Sequence, residues 1–167
     1  MATLKIVTYP DPILQRKAKS VPKVTRRIQS LIDDMLETMY AAPGVGLAAP
    51  QIGIRQRVIV VDVGEGPITL VNPELTAEEG EQLGLEGCLS LPDLMGEVRR
   101  ARRAVVKGRD RQGRPITVQS EDFLARALQH EIDHLNGILF IARVEDPTRI
   151  WKVSELEAMA EEEMVHI

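Results

Sequence analysis

The segment Ser120–Gly137 constrains the chain more than any other. It has the spacing of a helix, and near its C-terminal end it carries His130-Glu131-Ile132-Asp133-His134. At about 100° per residue, Asp122, Arg126, Gln129, Asp133 and Asn136 fall in one narrow polar arc. Phe123, Leu124, Ala127, Leu128, Ile132 and Leu135 occupy the other side, with Glu131 and His134 among them and His130 at the border. A carboxylate aimed at a core is expensive unless something answers its charge. Asp133, on the polar arc, is expected to face solvent. Two His residues four apart lie one above the other on a helix and can grip one metal ion, and the Glu beside the first can act as a base on water activated there. The chain has only three His, and this motif uses two of them. The spacing points to metal-assisted hydrolysis.

A catalytic site of this kind takes three protein ligands and keeps a position open. The only cysteine is Cys88, in Glu86-Gly87-Cys88-Leu89-Ser90, so no intrachain disulfide can form. Taken alone, Cys88 reads as a buried inert side chain, the usual case for a free cysteine, as a thiolate ligand, or as a nucleophile paired with a His. Gly87 permits a tight backbone approach. A third segment, Gly44-Val45-Gly46-Leu47-Ala48-Ala49-Pro50-Gln51, contains almost no bulk. It reads either as a glycine-rich helix exit or as a place where a ligand meets the backbone, with the Gln51 amide offered to a developing oxyanion.

Together the three segments resemble peptide deformylase. That family carries Gly-h-Gly-h-Ala-Ala-x-Gln, then Glu-Gly-Cys-h-Ser, then His-Glu-h-Asp-His, with h apolar. All three stand here in that order and without a broken position. Tyr9-Pro10-Asp11-Pro12-Ile13-Leu14 is similar to the family's opening, so the resemblance runs from about residue 4 to about residue 144. It implies Cys88, His130 and His134 as metal ligands and Glu131 as general acid and base. Gln51 and the backbone N–H of Leu89 would hold the formyl oxygen, and the Gly46 carbonyl would contact the substrate backbone. Val45, Phe123 and Ala127 would line a slot for a methionine side chain. The implied reaction removes the formyl group from the N-terminal formylmethionine of new proteins and releases formate. The implied ion is Fe²⁺ in the cell, with Zn²⁺, Ni²⁺ or Co²⁺ able to take its place. Met95 stands where some members carry an Arg, and Arg100 matches an arginine that supports the site from behind.

Rival readings keep the same motif. A zinc endopeptidase of the His-Glu-x-x-His type would take a downstream Glu as third ligand, and Glu155 and Glu157 are at suitable distances. A metal-stabilised interaction module would need a fourth ligand, for which His166 is the one remaining His.

The expected fold is α+β: antiparallel β-sheets packed around a central helix carrying the motif, with an N-terminal helix at Val24–Tyr40 and a C-terminal helix at about 147–164. Strands are expected at Arg57–Val63 and Ile68–Asn72 around the turn Gly64–Pro67, and as a hairpin of Ala104–Asp110 and Arg114–Gln119. Ser120 is expected to cap the motif helix and Gly137 to end it. Residues 1–167 are expected to form a single catalytic domain, and aromatics of 3% make its core aliphatic.

A net charge of −4 argues against strong nonspecific nucleic-acid binding. Arg99–Arg114 holds eight Arg or Lys, which reads as the solvated face of a hairpin or as a transient contact with ribosomal RNA. No apolar run is long enough to span a bilayer, and no charged-then-apolar signal opens the chain. The expected place is therefore the cytosol, or an organelle if a transit peptide has been removed.

Overall fold

A computed structural model describes residues 2–155. The first helix, α1, spans Arg26–Ala41, with the Thr25 hydroxyl accepting from the Ile28 N–H at its start. Ile28, Leu31, Ile32, Met35 and Met39 recur every three or four residues and are buried, as a one-sided helix requires.

After α1 come β1 (Gly46–Ala48), β2 (Val58–Val61), β3 (Ile68–Glu79), β4 (Gln82–Cys88), β5 (Leu91–Arg100), β6 (Arg103–Arg109) and β7 (Pro115–Glu121). The motif helix α2 follows at Asp122–Leu135, and β8 at Ile150–Lys152. The strands make two antiparallel sheets, β1-β2-β3-β6-β7 and β4-β5-β8.

Strand β2 shows how the layers are built. Val58-Ile59-Val60-Val61 has no polar alternation, and all four residues are buried. Val58 and Val60 pack with α1 and Leu47, whereas Ile59 and Val61 pack with Ala127, Leu128, Ile132 and Leu135 of α2. A strand covered on both faces reads as a continuous apolar run. A third cluster of Leu14, Cys88, Leu91, Val98, Leu139 and Phe140 joins the smaller sheet to the segment after α2. The helix α2 thus lies between the two sheets.

The differences from expectation have local causes. Strand β3 continues seven residues past Asn72. Asn72-Pro73 does break the regular backbone, with Asn72 at φ 52°, but a register shift between Val71 and Glu74, followed by another between Leu75 and Ala77, absorbs it as bulges. The Asn72 side chain is used elsewhere: it accepts from the Val21 N–H and donates to the Val21 carbonyl, both at 2.8 Å. Ser120 does not cap α2. It stays in β7 and donates to the Ala104 carbonyl at 2.8 Å. Gly137 does end the helix, at φ 74°, where an added Cβ would strike the backbone at Gln15. The expected C-terminal helix begins late: Ile150–Lys152 pairs with Leu94–Gly96 as β8, helix begins at 153, and residues 156–167 lie outside the described residues.

The basic stretch is largely a set of ion pairs. Arg99, Arg100, Arg102, Arg103, Arg111 and Arg114 each face a carboxylate within 4 Å. Among the described residues, no helix is long and apolar enough to cross a membrane.

Candidate active site

Glu86 and Cys88 are two apart on β4, so strand geometry places them on one face. His130 and His134 are one turn apart on α2, with ring centroids separated by 5.0 Å. Packing the strand against the helix brings Cys88, His130 and His134 together, each with a ligand atom within 4.8 Å of the others. All three are at most 2% exposed. Cys88 Sγ lies 3.3 Å from His134 Nε2.

The cluster fits a metal ion by what it leaves unsatisfied. His130 Nε2 and His134 Nδ1 are buried without a hydrogen-bond partner among the described residues, as are both carboxylate oxygens of Glu131. Burial of an orphaned polar atom is costly, and His130 Nε2 together with His134 Nε2 and the thiol makes a soft and borderline donor set suited to zinc, iron, nickel or cobalt. The electrostatics agree. Burial pushes His130 down, but the nearby Cys88 thiol, the hydrogen bond to Glu86 and the charge of Glu131 overcome it and raise the imidazole to about 10. Surroundings that favour a proton at that point favour a metal cation in its place. His134 is pushed the other way, by burial and by the neighbouring His130 and Arg100.

Glu131 is completely buried, and burial raises its carboxyl to about 7 against the pull of His130 and Arg100. It lies where Gly46 has no side chain. A Cβ built on Gly46 would collide with Glu131 Oε2 and stand 2.9 Å from its carboxyl carbon. Gly46 therefore has to be a glycine for the carboxylate to reach this position. It sits on β1, an edge strand of the larger sheet whose only neighbour there, among the described residues, is β2.

Gln51 is buried with its amide orientation set by its neighbours. Its Oε1 accepts from the Ala48 N–H at 3.0 Å, which turns Nε2 towards Ser90 Oγ at 3.1 Å and Cys88 Sγ at 3.6 Å. Leu89 and Ser90 form the two-residue turn between β4 and β5. The Leu89 side chain leans on Gly44, where an added Cβ would stand 2.7 Å from it. Val45, Phe123 and Ala127 share one apolar cluster, with Ala127 fully buried and the other two partly so.

The middle of the polar arc of α2 is not solvated, although Asp122 at its start is exposed. Arg126, Gln129 and Asp133 are each at most 7% exposed, because β4 and β5 cover that side of the helix. Asp133 therefore does need an explanation: it accepts from Arg100 at 2.6 Å and is held on both oxygens by Arg143. Arg100 also grips Glu86 with two bonds of 2.9 Å. The other Glu86 partners are His130 Nδ1 at 2.8 Å and Arg126 at 2.6 Å. Burial alone would push the Glu86 carboxyl up, but Arg100 and His130 hold it far below the usual carboxylate range. A carboxylate accepting from His130 Nδ1 leaves Nε2 free to face the cluster. The sequence pointed to Arg100 through a resemblance, but not to Glu86, Arg126 or Asp133. The available signal was a charged residue two before the cysteine, with one cation, Arg126, a turn before His130 on α2. Met95 is fully buried, in register with Gly87 and Trp151.

Glu155, the rival third ligand, is exposed and stands apart from the cluster, while Glu157 and His166 lie outside the described residues. Antiparallel sheets around a helix that presents two His and a Glu to a strand cysteine define a metallohydrolase of the His-Glu-x-x-His kind. Residues 3–149 match the family model for polypeptide deformylase. A peptide deformylase from Pelotomaculum thermopropionicum is 56% identical over 146 residues, covering 87% of this chain and 94% of its own. One from Alkaliphilus metalliredigens is 56% identical over 144 residues, covering 86% of this chain and 98% of its own. The crystal structure of the Thermus thermophilus enzyme superposes with a TM-score of 0.84 at 47% identity, over 93% of this chain and 92% of that one. The chain belongs to the polypeptide deformylase family.

Proposed function

We propose that this protein hydrolyses the formyl group from the N-terminal formylmethionine of newly synthesised proteins, with one divalent metal ion held by Cys88, His130 and His134. The observation that carries the reading is the buried thiol and two imidazoles beside a carboxylate that has no hydrogen-bond partner among the described residues. When bound, the ion supplies Lewis acidity that makes water a usable nucleophile near neutral pH and polarises the formyl group. Fe²⁺ is the proposed cellular ion, by resemblance to the family; the donor set can also take Zn²⁺, Ni²⁺ or Co²⁺.

The chain's own residues take the remaining tasks. Glu131 accepts a proton from water and returns it to the nitrogen that leaves as a free amine. A carboxyl raised to about 7 supports that exchange, since the pKa of an effective acid and base lies near the working pH. The Gln51 amide N–H₂ and the Leu89 N–H take up charge on the formyl oxygen; the fixed orientation of Gln51 supports a preorganised donor. Gly46, on an edge strand, offers its carbonyl to the extended substrate backbone, the manner in which peptides add to sheets. Val45, Phe123 and Ala127 receive the methionine side chain. The setting is the cytoplasm, and any contact with the ribosome is transient.

The test is formate release from formyl-Met-Ala-Ser by anaerobically purified protein of known metal content. Release should require one metal per chain and should disappear with the metal in Cys88→Ala, while Glu155→Ala behaves as the parent. Loss of activity in Glu155→Ala with Cys88→Ala unaffected would overturn the reading in favour of a peptidase-type site.

A further inference from the structure

The proposed metal ligands come from two separate elements, Cys88 from β4 and the His pair from α2. Their mutual position depends on what locks that strand to that helix. Arg126 stands one turn before His130 and is 4% exposed. Its guanidinium reaches across to the smaller sheet at three points: Glu86 Oε2 at 2.6 Å, the Val98 carbonyl at 3.0 Å and the Gln82 carbonyl at 3.5 Å. Strand β4 makes room for it. A Cβ on Gly84 would stand 3.1 Å from Arg126 Nη2, so the strand gives up a side chain where the guanidinium lies.

Neutralising Glu86 does not require Arg126. Arg100 already binds both oxygens of Glu86 in a two-bond fork. Arg126 adds a fourth hydrogen bond, which with His130 fills the four acceptor sites of the carboxylate. Arg100 starts on β5 and meets α2 at Asp133; Arg126 starts on α2 and meets β4 and β5. The two tie points lie on either side of His130 along the helix. We infer that Arg126 is a positioning residue of the metal centre, fixing the register of the helix that carries His130 and His134 against the strand that carries Cys88. It acts through Glu86 and the strand carbonyls and touches no reacting atom. The inference rests on the metal-site reading above.

Cobalt(II) alone is the probe, titrated anaerobically into the full chain against a competing chelator while the thiolate charge-transfer and ligand-field absorption are recorded. Arg126→Met should weaken Co²⁺ binding by about 10- to 100-fold, as loss of a group supporting a ligand commonly does, and should alter the ligand-field bands. Arg126→Lys, which keeps a cation beside Glu86, should recover part of the loss. Gly84→Ala keeps every charge but displaces the guanidinium; it should alter the same bands, and it replaces Arg126→Met if that variant does not fold. If these variants keep parental affinity and absorption, the inference is overturned even where thermal stability falls, because Arg126 is then only a fold contact. A parent protein without a Cys88-dependent thiolate band would overturn the metal-site reading and this inference with it.

Discussion

Glu131 and Gly46 show how tightly single residues are coupled in this site. Glu131→Gln preserves volume and removes only the ability to exchange a proton. It should retain the metal and lose about 10²- to 10⁴-fold in turnover, the usual contribution of a positioned acid or base. Metal analysis beside formate release checks this, and full activity would refute the acid–base role. Gly46→Ala puts a methyl group into the Glu131 carboxylate. Overpacking of this kind costs about 1–3 kcal/mol, and moving the carboxylate should depress kcat as well. Urea unfolding and turnover measured on one preparation would show both effects; a variant of parental kcat would mean that Glu131 has room the static structure does not show.

At the scale of elements, the notable surface is the side of α2 that faces β4 and β5. Its charges are buried and cross-linked rather than solvated. Removing one partner from such a network leaves a buried charge unanswered, which costs about 3–5 kcal/mol. Asp133→Ala should therefore destabilise the protein by that order, since it strips a partner from Arg100 and releases Arg143. The ion pair of Arg102 and Asp122, in which both side chains are 65% exposed, provides the contrast. Arg102→Ala should leave the denaturant midpoint nearly unchanged. Equal midpoints for the two variants would show that the Asp133 network carries no net stability.

For the whole molecule, the question is whether the metal holds the fold or only uses it. The described core consists of apolar clusters on both faces of the larger sheet and a third against the smaller one. Only the third includes a proposed ligand, Cys88. Chelation should therefore abolish formate release and lower the melting temperature by loss of ligand linkage, while far-ultraviolet circular dichroism keeps its folded form. Adding metal back should restore activity. Unfolding on chelation would mark a structural metal instead.

What the sequence determined by itself is local and covalent. The spacing of His130 and His134 fixes one helix face, the thiol and imidazoles fix the donor chemistry, and the periodicity of α1 and the apolar run Val58–Val61 fix a helix and a strand. Gly137 ended its helix where the sequence placed the end, because an αL position there favours glycine. Tertiary structure decided the rest. That Cys88 stands beside His130 and His134 depended on β4 packing against α2. The polar arc of Arg126, Gln129 and Asp133 resembles a solvated face in sequence, and only the covering strands show it to be an internal network. Ser120 gave up its cap to a strand neighbour, β3 ran through Asn72-Pro73 because bulges absorbed the break, and β8 formed where helix was expected because β5 offered an edge. In each case local propensity is worth a few tenths to about one kcal/mol, which burial and pairing with a distant segment can outweigh.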